Sequence, residues 1–391
     1  MEWKEYNNCQ LCDTISETYK GKSNSVVLIN TSDVLEGKVL NHKRVPNKGL
    51  KGQFKKTFKK NDILYSEIRP ANKRFAYINF SPNDYIASTK LMVLRSKPIV
   101  SSYFLFQILK SVIVLKNLQM LAESRSGTFP QITYSELSNV RVKVPPLPVQ
   151  DKIVGILSAL DSKIENNNKI NANLEAQAQA LFKSWFVDFT PFKDQPFVDS
   201  ELGPIPQGWK VGTLGDIANI IMGQSPAGSS YNERGNGVIF YQGRTEFGFR
   251  FPNVRLYTTM PKRYAEPMSI LLSVRAPVGD INVAIEKCCI GRGLASISSK
   301  RGLHSFLLYL VKSLKNRLEV FNGEGTVFGS INKNTLMQFK IIIPPIEMQE
   351  KFNEIIQRHD CMVLELHKEI INLSTQRDTL LPKLMSGEIK L

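Results

Sequence analysis

A long heptad repeat between residues 150 and 186 constrains this chain more than any other feature. Positions spaced alternately four and three apart form a seam over five heptads: Ile153, Leu157, Leu160, Ile164, Asn167, Asn171, Leu174, Ala178, Leu181 and Trp185. No proline or glycine interrupts the pattern after Gly155. A period of about 3.5 residues held this long predicts a helix of a left-handed coiled coil, which needs a partner helix.

The partner helix lies in the same chain, at an offset of 199 residues. Its seam residues are Phe352, Ile356, His359, Val363, Leu366, Ile370, Leu373, Arg377, Leu380 and Leu384. Because a globular block separates the two helices, the second can return along the first, and we expect an intramolecular antiparallel coiled coil. Leu157 is expected to pack against Leu373, and Leu174 against Ile356. The polar seam residues either fix the register or face other subunits.

The chain also repeats itself outside the helices. ILYS at 63–66 matches ILLS at 270–273, FLFQILKS at 104–111 matches FLLYLVKS at 306–313, and Gly127-Thr128 matches Gly325-Thr326. Each half reads as short strands rich in Val, Ile, Phe and Tyr, then a short helix, a strand, a double proline and a long helix. The predicted fold class is therefore α+β, with two similar globular mixed α/β domains, two long helices that separate them and a pseudo-twofold repeat.

The charge balance favours a polyanionic partner. The 391 residues include 51 Lys and Arg against 35 Asp and Glu, a formal net charge of +16, and nucleic acid is the usual partner of so basic a chain. The best apolar run, 104–118, is broken by Gln107, Lys110 and Lys116, and the first ten residues lack an apolar signal core, so we expect a cytoplasmic protein without a membrane span.

Motifs for catalysis or metal binding are not visible in the sequence. There is no [DNS]-P-P-[YF] methyltransferase tetrad and no glycine-rich cofactor turn after a strand, and the four histidines are scattered. Cys9 and Cys12 form a CxxC motif, but two further ligands at suitable spacing are missing. We therefore expect no catalytic residue, no metal site and no cofactor in this chain.

Basic and amide side chains in loops are the candidates for DNA contact. Residues 38–60 are rich in Lys and Arg, contain no acid and include Phe54 and Phe58, which favours a phosphate-binding surface over a merely solvated loop. Arg and Gln read guanine and adenine edges bidentately. The predicted DNA-binding residues are Lys55, Lys56, Lys59, Lys60, Arg69, Lys73, Arg74, Gln242, Arg244, Arg250, Arg275 and Arg292. Arg275 and Arg292 are either contacting or structural.

The whole chain resembles the specificity subunits of type I restriction–modification enzymes. The resemblance rests on WKEY, PPLPVQDKIVGILSALDSKIENN, LEAQAQALFKSWFVDF, GPIPQGW, PPIEMQEKFNEI and QRDTLLPKLMSGEI. It implies a target recognition domain at 1–149, a central helix at 150–190, a linker with a second target recognition domain at 191–348, and a distal helix at 349–391. One departure is Asn7 to Cys12, which stands where the second half has Leu214-Gly-Asp-Ile217 and leaves the geometry of the first strand open.

The resemblance implies a non-catalytic subunit that reads a bipartite double-stranded DNA target with an unread spacer. Two modification subunits would bind S-adenosylmethionine and methylate adenine, and restriction subunits would use ATP and Mg²⁺ to translocate and cut DNA. The alternatives are the specificity subunit of a methylation-only system, a basic coiled-coil scaffold without sequence readout, and an enzyme whose motifs are not visible here.

Overall fold

The computed structural model describes residues 3–50, 52–125, 129–322, 329–389 and 391. Gly127-Thr128 and Gly325-Thr326, which the repeat aligns, lie outside the described residues. The chain forms two compact units: unit 1 comprises residues 1–166 and 369–391, and unit 2 comprises residues 167–368. Both long helices cross these limits, so each unit combines one globular domain with half of each helix.

The described residues of unit 1 form strands and short helices, followed by the first half of the first long helix. The strands are β1 (Lys4–Asn7), β2 (Cys12–Ile15), β3 (Ser25–Ile29), β4 (Val34–Leu35), β5 (Lys38–Val39), β6 (Arg44–Pro46), β7 (Phe54–Lys56), β8 (Ile63–Ser66), β9 (Phe75–Tyr77), β10 (Tyr85–Ser88), β11 (Leu91–Ser96) and β12 (Arg141–Val144). The helices are α1 (Asn8–Leu11), α2 (Ser102–Leu109), α3 (Val112–Arg125), α4 (Tyr134–Ser138) and α5 (Leu147–Phe186).

Unit 2 repeats this order after a short linker hairpin. The strands are β13 (Phe197–Val198), β14 (Ile205–Pro206), β15 (Lys210–Thr213), β16 (Ala218–Met222), β17 (Tyr231–Asn232), β18 (Val238–Tyr241), β19 (Leu256–Thr258), β20 (Tyr264–Ala265), β21 (Ile270–Ser273), β22 (Ile281–Val283), β23 (Cys288–Ile290), β24 (Leu294–Ser299) and β25 (Lys340–Ile343). The helices are α6 (Leu214–Ile217), α7 (His304–Ser313), α8 (Lys315–Glu319), α9 (Lys333–Met337) and α10 (Ile346–Ser386).

The sheets of the two domains have the same topology. One four-stranded sheet has the order β2-β11-β8-β9 in unit 1 and β16-β24-β21-β22 in unit 2. The other has the order β6-β3-β10-β7 in unit 1 and β17-β19-β18-β23-β20 in unit 2, where β17 is an addition. A parallel pair of strands also recurs, as β3 with β10 and as β18 with β23. The predicted α+β repeat is confirmed for both sheets, while the small β4-β5 sheet of unit 1 and strand β17 of unit 2 lie outside the match.

The first turn of the chain keeps its geometry although its sequence departs from the repeat. The backbone N–H of Asn7 donates to Oε1 of Gln10 at 2.9 Å, as that of Thr213 donates to Oδ2 of Asp216 at 2.7 Å. Both pairs satisfy a free donor at the start of a four-residue helix. A Gln therefore replaces an Asp in the same role, and β1 pairs with β12 as β15 pairs with β25.

Both long helices begin directly after a double proline. Buried Gln150 donates from Nε2 to the carbonyl of Pro145 at 2.9 Å, and buried Gln349 donates to that of Pro344 at 2.8 Å. A glutamine five residues after the first proline thus ties each helix to the strand before it. The helices begin at Leu147 and Ile346, three residues before the limits expected from the sequence.

The long helices pair antiparallel in both units. In unit 1, Asp161 of α5 bonds Arg377 of α10 at 3.0 Å, and Lys163 pairs with Glu369 at 3.4 Å. In unit 2, the rings of Phe182 and Phe352 lie 5.5 Å apart. As positions rise along α5, their partners fall along α10, so the predicted direction is confirmed.

The expected pairing of Leu157 with Leu373 is wrong. Leu157 lies one helical turn before Asp161. It is buried in the hydrophobic cluster that contains Leu384, and Leu380 packs against this cluster. Leu373 lies one turn to the other side of Arg377 and is only half-buried. Heptad spacing fixes which face is apolar but leaves the axial register open, because a shift by one heptad preserves the seam.

The seam residues predicted for the helix pair are all at least partly buried. Those below a tenth exposed are Ile153, Leu157, Asn167, Asn171, Ala178, Phe352, Ile356, Val363 and Leu384. The half-buried ones are Leu160, Ile164, Leu174, Leu181, Trp185, His359, Leu366, Ile370, Leu373, Arg377 and Leu380. Within the described ranges, no single helix is long and apolar enough to span a membrane; α2 and α3 meet the criterion only as a pair, with a 58° bend between them.

Candidate nucleic-acid interface

Four segments meet at one edge of the unit 2 domain, where β18, β21 and β23 end. Three backbone hydrogen bonds join them. The N–H of Val274 donates to the carbonyl of Gly293 at 2.9 Å, that of Gly291 to the carbonyl of Tyr241 at 2.8 Å, and that of Ala276 to the carbonyl of Gly329 at 3.0 Å. Segments 242–246, 274–276, 291–293 and 329–331 therefore form one surface, which we call the unit 2 edge.

Two glycines allow these segments to approach each other. A Cβ on Gly291 would lie 2.9 Å from Cα of Gln242, and a Cβ on Gly293 would lie 2.8 Å from the carbonyl oxygen of Gln242. Backbone atoms cannot move away as a flexible side chain can, so both positions require glycine. Arg292 between them is exposed, and its backbone N–H donates to Oγ of Ser225 at 3.2 Å.

The unit 2 edge brings together four of the predicted DNA-binding residues. Gln242, Arg244, Arg275 and Arg292 are all exposed there. Nη1 of Arg244 bonds Oδ2 of Asp280 at 2.5 Å, with both side chains at least 30% exposed. An ion pair so open to solvent contributes little, so Arg244 can exchange its carboxylate for a base edge or a phosphate.

Arg250, predicted as a base reader, is not part of this surface, and that prediction is wrong. Its side chain is 3% exposed. Its Nη1 bonds Asp360 of α10 at 2.8 Å, and its Nη2 bonds Glu175 of α5 and the hydroxyl of Tyr309. A guanidinium that is buried to this extent and bonded through Nη1 and Nη2 to carboxylates from both helices cannot reach DNA in this conformation.

The cluster around Arg250 shifts the ionisation of its neighbours. Burial alone would raise the pKa of Glu175, but Arg250 and Lys312 outweigh it and lower the pKa to about 2. Burial and the nearby Arg250 lower the pKa of Lys312 to about 8, although Lys312 bonds Glu175. Ser305 completes the cluster by donating from Oγ to Oδ2 of Asp360 at 2.6 Å.

Unit 1 builds the same edge from equivalent segments. The backbone N–H of Glu67 donates to the backbone carbonyl of Lys90 at 3.1 Å, that of Arg69 to the carbonyl of Pro130 at 3.0 Å, and that of Ile132 to the backbone carbonyl of Glu67 at 2.8 Å. These bonds match those of Val274, Ala276 and Ile331 in unit 2. Segment 30–33 follows β3 beside β10, as 242–246 follows β18 beside β23. We call segments 30–33, 67–69, 88–90 and 130–132 the unit 1 edge.

The side chains of the unit 1 edge differ from those of unit 2. Arg69 is exposed and holds a left-handed backbone conformation with φ at 44°. Lys90 lies beside it, with Nζ 3.3 Å from Oε1 of Gln131 and 3.7 Å from Glu67. Lys90 was not predicted from the sequence. The strand repeat could have found it, because Lys90 stands where unit 2 has Gly293, next to Arg292.

The other basic residues of unit 1 do not form one loop. Segment 38–60 contains strands β5, β6 and β7. Lys56 turns inward, and its Nζ donates to the backbone carbonyls of Thr89 at 3.0 Å and Leu91 at 2.9 Å. Burial lowers the pKa of Lys56. Lys55 is exposed on β7. Lys59 and Lys60 are exposed before β8, at the opposite end of that strand from Arg69.

Lys73 and Arg74 have structural partners. Nζ of Lys73 bonds Glu36 at 2.8 Å. Nη1 of Arg74 donates to the carbonyls of Ser32 at 3.1 Å and Val34 at 3.3 Å. The bonds of Arg74 hold segment 32–36, which continues the unit 1 edge, whereas the exposed ion pair of Lys73 with Glu36 contributes little to stability. Among the described residues, no group of three or more His, Cys, Asp or Glu could hold a metal ion.

Comparisons with known proteins agree with this duplicated architecture. The model of the type I restriction modification DNA specificity domain matches residues 2–176 and 206–374. The chain is 32% identical to the type I restriction enzyme HindI specificity subunit of Haemophilus influenzae, over 99% of this chain and all of that protein. It is 28% identical to the type I restriction enzyme MjaIX specificity subunit of Methanocaldococcus jannaschii, over 89% of this chain and 82% of that protein.

The fold is also found in a solved structure. The S subunit of a type I restriction–modification system from M. genitalium superposes with a TM-score of 0.56 at 19% identity, covering 98% of this chain and 96% of that one. Two copies of the specificity domain and a full-length relative decide the assignment. The chain belongs to the family of type I restriction–modification DNA specificity subunits, which are non-catalytic.

Proposed function

We propose that each domain reads one half of a bipartite DNA target through its four-segment edge. In unit 2 the base-reading candidates are Gln242, Arg244, Arg275 and Arg292. In unit 1 they are Arg69, Lys90 and Gln131, with exposed Lys55, Lys59 and Lys60 as phosphate contacts away from the edge. Arginine, lysine and amide side chains are those that bind base edges in the major groove.

The observation that carries this proposal is that one backbone frame supports two different sets of side chains. Three backbone hydrogen bonds recur between the edges, whereas Arg275 stands where unit 1 has Ile68, and Ala276 where it has Arg69. A conserved frame with divergent polar side chains suits two readers with different targets. A basic scaffold without sequence readout would need neither the frame nor the divergence.

The helices are the proposed docking surface for the other subunits. Both helices expose large apolar side chains, at Ile156, Ile170, Ile355, Met362 and Ile371. Ile355 and Met362 lie two turns apart on one face of α10, and apolar side chains that share an exposed face favour a protein partner. We propose two modification subunits that carry S-adenosylmethionine, and restriction subunits that carry ATP and Mg²⁺, with no cofactor in this chain and a cytoplasmic complex.

The test is a domain exchange in the assembled methyltransferase. Residues 209–340 are replaced by the corresponding domain of another family member, and methylated sites are mapped by sequencing. One half-site should change and the other should stay. A change in both halves, or in neither, would refute the assignment of one half-site to each domain. Methyl transfer by the purified chain alone would refute the division between reader and modification subunits.

A further inference from the structure

Arg250 lies in the same connection as two of the proposed base readers. The connection from β18 to β19 begins with Gln242 and Arg244 and continues through Arg250. The connection folds back on itself. The backbone N–H of Asn253 donates to the backbone carbonyl of Glu246 at 2.7 Å, and Phe247 and Pro252 form an antiparallel β-bridge. The readers and the buried guanidinium therefore belong to one compact loop.

This loop is held by groups from three helices. Glu175 belongs to α5, Asp360 to α10 and Tyr309 to α7. Phe251, the next residue, packs its ring 4.9 Å from that of His367 on α10. The contacts of Arg250 and Phe251 thus fix the domain to the halves of both long helices that lie in unit 2.

In unit 1, the carboxylate at the position equivalent to Asp360 has different partners. Asp161 precedes Asp360 by 199 residues and is the matching carboxylate of the repeat. Its cation is Arg377, which comes from α10 at 3.0 Å, and its hydroxyl donor is Tyr103. The arginine of unit 1 therefore joins helix to helix, whereas the arginine of unit 2 joins the recognition domain to the helices.

Burying so many charges is not the most stable way to fill this space. Well-packed apolar side chains often equal or exceed the stability of a buried ion cluster, while removal of one partner is costly. What the charges add is a defined geometry, because a planar guanidinium bonded to two fixed carboxylates admits one orientation.

We infer that Arg250 is a positioning residue that sets the orientation of the unit 2 edge on the helix pair, so that the complex accepts one gap length between its half-sites. The inference rests on the proposed function and adds to it a residue that determines spacing without touching DNA. Both helices continue from unit 2 into unit 1. When the contacts of Arg250 with the helices are lost, the unit 2 domain can change its orientation on them, and the half-site that it binds can shift relative to the other.

The test selects DNA with the assembled specificity and modification subunits. A library of random duplexes is bound, and bound molecules are sequenced for wild type, Arg250→Met and the control Arg95→Met, which removes an ion pair with buried Asp62 inside the unit 1 domain. Wild type and the control should enrich one gap length. Arg250→Met should enrich the same bases in both half-sites at two or more gap lengths, with binding at the original gap weaker by about tenfold.

The outcomes separate positioning from loss of folding. A partly unfolded protein lowers the yield of bound DNA but does not broaden the gap. Where Arg250→Met fails to assemble, Glu175→Gln, which keeps the side-chain volume, should broaden the gap in the same way. A single gap in a folded variant would overturn the inference, and so would altered bases in the second half-site. If wild type enriched no bipartite sequence, the proposed function itself would fail.

Discussion

Replacing Arg250 with methionine should destabilise unit 2 by an amount set by its buried carboxylates. The pKa of Glu175 is about 2 in the fold against 4.5 for an ordinary glutamate. At about 1.4 kcal/mol for each tenfold change, its ionised form gains about 3 kcal/mol from its surroundings. Removing one partner of a buried ion pair typically costs about 3–5 kcal/mol. We therefore expect Arg250→Met to lower the free energy of unfolding by about 3 kcal/mol at pH 7.

The pH dependence of this loss identifies its cause. Because the folded pKa of Glu175 lies below the unfolded one, its stabilisation is present above about pH 4.5 and is lost as the pH falls toward about 2. Without Arg250, only Lys312 and Gln179 oppose the effect of burial, so the pKa of Glu175 rises from its wild-type value, and the protonated carboxyl needs no counterion. The free-energy difference between wild type and Arg250→Met should therefore narrow as the pH falls from 7 to about 4.

Urea unfolding followed by tryptophan fluorescence measures this difference. The chain has three tryptophans, and a Trp3→Phe background leaves Trp185 and Trp209, both in unit 2. Arg244→Met, which removes an exposed ion pair, is the control and should cost less than about 1 kcal/mol. An equally small loss for Arg250→Met, or a loss that does not change with pH, would refute the reasoning.

Three further predictions test separate parts of the structure. In a background without exposed cysteines, Lys163→Cys with Glu369→Cys should cross-link within one chain through a short bismaleimide; cross-links only between chains would contradict the intramolecular helix pair. Lys55→Ala should weaken binding to all duplexes alike and reduce the salt dependence by about one phosphate contact; a change in base preference would contradict this role. Gly291→Ala should cost about 1–3 kcal/mol in stability or half-site binding because its Cβ meets backbone, whereas Gly243→Ala, with nothing within 4 Å, should cost little.

Features that depend on local periodicity could be predicted from the sequence. The seam from Ile153 to Trp185 fixed a helix and its apolar face, and the recurrence of ILYS as ILLS located the same central strand in both domains. The axial register of the helices could not be predicted, because Leu157 fits the seam equally well opposite Leu373 or one heptad further along.

The role of Arg250 depends on contacts that are distant in sequence. Its carboxylate partners lie 75 and 110 residues away, so nothing near it distinguishes a buried arginine from an exposed one such as Arg244. Lys90 was missed for the opposite reason. It stands alone between two strands, outside any basic run, so only its alignment with Gly293 in the strand repeat points to the unit 1 edge, where the backbone bond from Glu67 places it.

The central claim is that each edge reads its own half-site, and paired substitutions test it most directly. Arg275→Ala with Arg292→Ala changes the unit 2 edge, Arg69→Ala with Lys90→Ala changes the unit 1 edge, and Arg301→Ala, beyond the opposite end of β24, is the control. Selection from random duplexes with the assembled methyltransferase gives the base preference at every position.

Each paired variant should relax base preference in one half-site by about 1–3 kcal/mol per lost contact and leave the other half-site unchanged. The two variants should affect opposite halves, and the control should affect neither. Relaxation of both half-sites by one variant, or of the same half-site by both variants, would contradict the claim that the duplicated edges are independent readers.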